Sequence, residues 1–151
     1  MKLIPLMKLI GRVAAPTVIG KIPTGNRSIF AMTGGEFEGE RLRGRVHPSG
    51  GEWMLQNDDG LGQVDVRILL ETDDGVPIYL RYSGLMDFNQ AIVEALGQGR
   101  PTEYGDNLFL THARFEAGDP RYTWLNRTIA VGEGRVHPDC VEYTLYEINH
   151  G

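Results

Sequence analysis

Only one cysteine, Cys140, occurs among the 151 residues of the chain. An internal disulfide is therefore excluded, and the fold does not depend on an oxidising compartment. A lone cysteine beside Val141 in a strand-like run reads as a small buried residue, with a catalytic thiol as the alternative. Long apolar runs are also missing, and nothing approaches the length of a transmembrane helix. The opening stretch from Met1 to Ile10 resembles a short signal peptide. Pro5 and Lys8 interrupt it before it reaches the length of a signal core. It is read instead as a first strand, and the protein as cytoplasmic.

Positive charge is in deficit. Lys and Arg number 15 against 20 Asp and Glu, for a net charge of -5 and a pI of about 5.3. A phosphate backbone or an anionic membrane surface wants the opposite balance, so neither nucleic acid nor membrane is an expected partner. Metal motifs are missing too: there is no His-x-His, no His-Glu-x-x-His and no cysteine pair. No Walker loop and no Gly-x-Gly-x-x-Gly follows a strand and opens a helix, and no Gly-x-Ser-x-Gly elbow occurs. The run from Val131 to Gly134 reads as a turn. The expectation is a chain with neither metal nor cofactor.

What the chain has is turns. Gly occurs 20 times and Pro 8 times, and hydrophobic residues make up 41%. Short runs of Val, Ile, Leu, Tyr and Phe lie between them, the mark of a mainly antiparallel β protein with one core and one domain over residues 1–151. Strands are expected over Leu3–Val13, Arg27–Thr33, Glu40–His47, Trp53–Gln56, Leu108–Glu116, Thr128–Val131 and Cys140–Ile148. Pro16–Gly25 reads as a connection, Glu36–Phe37–Glu38 as a tight turn or bulge, and Pro48–Gly51 and Arg100–Asn107 as loops. The clearest pattern is a hairpin. Val64, Val66, Ile68 and Leu70 alternate with Gln63, Asp65, Arg67 and Leu69, and Val76, Ile78, Leu80 and Tyr82 follow the turn at Thr72–Gly75. Phe88–Leu96 is the one helix, with Phe88, Ile92 and Leu96 on one side, Asp87 as N-cap and Gly97 after its end. About eight to ten short strands and one helix make a barrel or a sandwich, and closure favours the barrel because it removes exposed edges. A barrel of that size is either filled or holds one small ligand.

A set of residues then points to a family. Gly35-Glu-Phe-Glu-Gly39 is followed by Leu42, Gly44, Val46, Pro48, Gly50 and Trp53. Val64-Asp-Val-Arg67, Asp74-Gly75, Ile78-Tyr79 and Gly84 come next. Phe115-Glu116, Gly118, Tyr122, Trp124-Leu-Asn126, Val131-Gly132 and Gly134 complete the set. Across nearly its whole length the chain resembles the domain-of-unknown-function family 3237 of bacteria and fungi. The resemblance implies a lipocalin- or calycin-like antiparallel β-barrel. It implies little about activity, which is generally unknown for the family. Glu52 stands where the pattern favours Asp, and Ala117 where it favours Thr.

The candidate site residues follow from strand spacing. Asp65 and Arg67 share one face of a strand, and Tyr79 and Arg81 share one face of its hairpin partner, so the four form a cross-strand cluster. Two readings stand open. The cluster is either a solvated outer face around an ion pair, or a polar patch inside the barrel, where the carboxylate needs the arginines beside it. The family resemblance includes Asp65, Arg67 and Tyr79 and adds weight to the second. His112, in Phe109–Glu116, could act as acid or base near neutral pH, or be structural. Trp53 and Trp124 close the core or wall a small-molecule site, Asn126 offers an amide, and Glu116 offers a second carboxylate. His47 and His137 each precede proline and are read as surface loop residues.

The expected function is a small-molecule-binding barrel, or a cofactor-independent lyase, isomerase or cyclase in its cavity. There Asp65 or His112 moves a proton while Arg67, Arg81 and Tyr79 hold an oxygen. A non-catalytic carrier, or a homodimeric structural protein, is the alternative.

Overall fold

The computed structural model describes residues 1–151. Its strands are β1 (Lys2–Val13), β2 (Thr17–Ile22), β3 (Gly25–Glu38), β4 (Arg43–Gln56), β5 (Leu61–Thr72), β6 (Pro77–Asp87), β7 (Phe109–Glu116), β8 (Ile129–Val136) and β9 (Cys140–Asn149). Helix α1 (Gln90–Gly97) joins β6 to β7, and a short 3-10 helix, Thr123–Arg127, joins β7 to β8. All pairings are antiparallel, in the order β1-β9-β8-β7-β6-β5-β4-β3-β2, and β1 pairs with β3 as well. That last pairing, Lys8–Val13 against Glu38–Met32, closes an eight-stranded barrel and leaves β2 outside it, bonded to β3 alone.

Closure gives every strand an inside and an outside, and the period-2 pattern decides which residues take each. Val64, Val66, Ile68 and Leu70 of β5 face Ile78, Leu80 and Tyr82 of β6 within the interior, all at most 4% exposed. Leu9, Phe37, Val46, Phe115, Ala130 and Leu145 continue this core around the wall. At one end the interior is packed shut. Leu125 of the 3-10 helix is fully buried there, and Asn126 ties that helix to the end of β7 by two 2.8 Å bonds with the Ala117 backbone. Arg41 pairs with Glu147 and lies 3.9 Å from the Trp124 ring centre.

Several elements run longer than their sequence signals. The stretch read as a connection contains β2. The glycine-flanked turn at Glu36–Glu38 belongs to β3, which has an irregularity between Ala31 and Gly35. Pro48–Gly51 is a bulge within one continuous β4, and Val131–Gly134 lies within β8. In each case ladder bonds to a neighbouring strand override the local preference of Gly and Pro for turns. The N-cap of α1 is Asn89, whose side chain accepts the Ile92 N–H at 3.2 Å.

The β4 bulge turns at Gly50, which has φ +76°, and a Cβ there would lie 2.1 Å from the Arg67 carbonyl oxygen. Both the conformation and the contact exclude a side chain. Gly50→Ala is therefore expected to destabilise the barrel by roughly 2 kcal/mol or more in urea unfolding. An unchanged midpoint would show that the bulge is not a constraint on closure.

Candidate functional site

The residues singled out from sequence do form a cluster, but on the outer wall. Val64 and Val66 face the interior, so Asp65 and Arg67 between and beside them face out. The side chains of Arg67 and Asp65 are 62% and 46% exposed and 3.9 Å apart, an ordinary surface ion pair. Register places Arg67 opposite Arg81, and Arg81 opposite Arg114, while Tyr79 lies opposite Leu69 and Glu116. His112 and Glu116 are likewise exposed on the outward face of β7. Trp53 projects outward, and its carbonyl accepts a bond from Arg27 at 2.8 Å. Trp53, Asp65, Arg67 and His112 share an open surface groove of about 830 Å³. Trp124 and Asn126 belong to the packed end of the barrel. The expectation that these groups line the barrel cavity is therefore corrected: strand parity in a closed sheet turns the hairpin's polar face to solvent.

A partly enclosed space lies at the other end. It has a volume of about 480 Å³ and is walled mostly by apolar side chains, among them Phe30, Met54, Met86, Phe109 and, from the α1 segment, Phe88 and Ile92. Two carboxyl residues line it, Glu52 and the exposed Asp139, and of these Glu52 points inward. Glu52 of β4 pairs with Val66 and Phe30, both interior positions, so it points inward with them. Its Oε2 is buried and has no hydrogen-bond partner. Burial raises its pKa to about 7, and the charge of Asp65 across the sheet adds to the shift. Tyr82 and Tyr143 stand close by, edge to face with ring centres 5.0 Å apart. Burial raises both phenols above their ordinary range, and proximity to Glu52 adds to each shift, so both stay protonated near neutral pH. Glu52 is the group that changes charge there.

Glu52 was legible only as a departure from the family pattern. Reading Pro48–Gly51 as a loop cut β4 before Glu52 and hid that Glu52 shares the parity of Met54. His137 was also misread as a plain surface residue. Its ring lines the cavity mouth and meets Glu142 Oε2 through Nε2 at 2.9 Å. Glu142 faces outward on β9, yet its side chain is only 7% exposed. The Arg100–Asn107 loop lies over this part of the wall, bonded through Thr102 to Val136 and through Tyr104 to Thr144. Burial alone would raise the Glu142 pKa. The bonds from His137 and Arg135, with Lys8, outweigh burial and hold it below its usual value. No three His, Cys, Asp or Glu side chains converge as a metal-binding group, and no helix is long and apolar enough to cross a membrane.

The family model described as "Protein of unknown function (DUF3237)" matches residues 1–148. The chain belongs to the DUF3237 family. This DUF3237 barrel is similar to a solved β-barrel-like protein of Acinetobacter baumannii, with a TM-score of 0.84, 35% identity, and coverage of 98% of this chain and 96% of that one. It is 31% identical to the UPF0311 protein RPA1785 of Rhodopseudomonas palustris, over 93% of this chain and 92% of the relative. It is 27% identical to a PR-toxin biosynthesis cluster protein of Penicillium roqueforti, over 80% of this chain and 75% of that one.

A carboxyl whose pKa rises from 4.5 to about 7 on folding has a definite linkage. Its protonated form is the one the fold favours. That contribution is complete below pH 4.5 and is lost as pH rises through about 7. Glu52→Gln should therefore gain stability relative to the native chain between these limits, approaching roughly 3 kcal/mol at pH 8, with little difference at pH 4. Thermal unfolding across pH measures this, and parallel curves would place the carboxyl in water. Asp65→Asn and His112→Gln should each shift unfolding by about 0.5 kcal/mol or less, as exposed substitutions do. A larger loss would show that the outer cluster holds the fold.

Proposed function

We propose that this barrel binds a small, largely apolar molecule carrying an oxygen function, with that oxygen at Glu52, and that Glu52 exchanges a proton with it. The reaction class is that of a lyase, isomerase or cyclase. One observation carries the reading: Glu52 Oε2 is buried in the wall of a partly enclosed, mostly apolar cavity and has no partner in the protein. A buried carboxyl without a partner costs the fold free energy, and a ligand hydroxyl or carbonyl would supply the missing bond. The apolar walls bind the body of the molecule through burial, and Glu52 orients it. A carboxyl with a pKa of about 7 is present in both proton states near neutral pH, which suits it to act as general base or acid. A carrier would bind as well with an uncharged polar group and would avoid the desolvation of Glu52. The relative named for a toxin biosynthesis cluster supports a small organic molecule as the ligand.

The test uses 2-naphthol, an apolar molecule with one hydroxyl, and naphthalene, its hydrocarbon counterpart. 2-Naphthol is expected to bind the more tightly, with an affinity that rises several-fold as Glu52 ionises, because a bond to a charged acceptor is stronger. Glu52→Gln should abolish that rise while keeping naphthalene binding. No saturable binding of either probe, or a rise that persists in Glu52→Gln, would overturn the proposal.

A further inference from the structure

Two ionisable groups that belong to different networks meet the same cavity. Glu52 rises from the β4 wall, and His137 stands at the mouth, in the turn between β8 and β9. The His137 backbone N–H bonds the Cys140 carbonyl at 2.9 Å, which fixes the turn. Its side chain is 25% exposed and is held by Glu142. Glu142 in turn is bound by Arg135 Nε at 2.7 Å and lies 3.4 Å from Lys8 Nζ. Arg135 also reaches Glu103 of the covering loop at 3.2 Å. A carboxylate so fixed by cations accepts a hydrogen bond and cannot donate one. The proton of the shared contact therefore belongs to His137 Nε2, by the same logic with which a carboxylate sets a catalytic imidazole's tautomer. No protein group bonds Nδ1, which leaves that atom free to bond a ligand.

We infer that His137, set by Glu142, is the second proton-transfer group of this cavity, paired with Glu52 on a ligand that spans the wall and the mouth. The inference rests on the cavity reading above. It narrows the substrate class to unsaturated or carbonyl-bearing apolar molecules with an acidic C–H or O–H at one position and a proton-accepting atom at another. The step balances. Ionised Glu52 takes the proton from the first position, and the electron pair of the broken bond shifts along the π system. The second position takes the Nδ1 proton of the His137 imidazolium. The product is a double-bond isomer of the substrate, or its ring-closed form where the electron pair freed at the first position bonds directly to a carbon of the π system as the neighbouring carbon takes the His137 proton. Glu52 then returns its proton to water and His137 regains one, so no oxidant or reductant is consumed. Glu142 touches no substrate in this scheme and is a positioning residue.

Histidine 15N spectra of the intact protein test the inference. In the native chain His137 should show a protonated Nε2 and a bare Nδ1 at high pH, and Glu142→Gln should shift it toward a mixture of tautomers. Addition of 6-hydroxy-2-naphthaldehyde, which carries a hydroxyl for Glu52 and a carbonyl acceptor at the far end, should move the His137 Nδ1 resonance and leave those of His47, His112 and His150 in place. Naphthalene should move none of them. His137→Asn should weaken 6-hydroxy-2-naphthaldehyde about tenfold, the worth of one bond to the ligand, and leave 2-naphthol unchanged. If 2-naphthol binds with its Glu52-dependent rise while 6-hydroxy-2-naphthaldehyde leaves His137 Nδ1 still and binds His137→Asn equally well, this inference fails and the cavity reading stands. If 2-naphthol does not bind at all, both fail.

Discussion

Strand β1 hydrogen-bonds to β9 along one edge and to β3 along the other, and the rest of the structure depends on that double pairing. A sheet closed in this way has a single interior, so the parity of each strand is tied to that of its neighbours. Once Val66 faces in, Glu52 and Tyr82 opposite it face in as well, and Arg67 with its neighbour Arg81 faces out. One pairing therefore decides both which carboxyl is buried and which charged cluster is left to solvent.

The barrel is filled unevenly. At the end near the 3-10 helix, Leu125 and the Asn126–Ala117 clamp close the interior. At the other end α1 and the β8–β9 turn cover a space that side chains do not fill. Core packing of ordinary density would have excluded such a space, and an apolar residue in place of Glu52 would have avoided its desolvation. The wall and the mouth treat their carboxyls in opposite ways. Glu52 lacks any cation and is pushed toward neutrality, while Glu142 is ringed by Arg135, His137 and Lys8 and held ionised. Environments that drive two carboxyls apart separate a proton-exchanging group from a fixed negative charge.

The fold was largely legible because the strongest signals are local. The hairpin of β5 and β6 alternates without a break and turns at Asp73-Asp74-Gly75, so its strands and register were legible from residues alone, while which face points inward was not. The family resemblance, carried by glycines and aromatics along most of the chain, agreed with the barrel. The candidate site was read less well, for two physical reasons. The bulge at Pro48–Gly50 looks like a loop in sequence, and it hid the strand that aims Glu52 inward. Asp65, Arg67, Tyr79, Arg81 and His112 drew attention as a rich set of ionisable and aromatic groups, yet a solvated barrel face collects the same residue types. His137 looked like a loop residue because its partner Glu142 is five positions on, and the loop that buries Glu142 comes from more than thirty residues upstream.

By itself the sequence determined the antiparallel β class, the presence of one short helix after the central hairpin (its bounds shifted from Phe88–Leu96 to Gln90–Gly97), the register of that hairpin and membership of the family. Each of these follows from periodicity, turn chemistry or a shared residue pattern, which are properties of neighbours along the chain. The tertiary structure alone decided where the barrel closes, which end stays hollow, and that Glu52 and His137 meet one cavity while the hairpin's charges face water. Those outcomes depend on pairings between distant segments, β1 with β3 above all, whose contacts exist only once the sheet has curled onto itself.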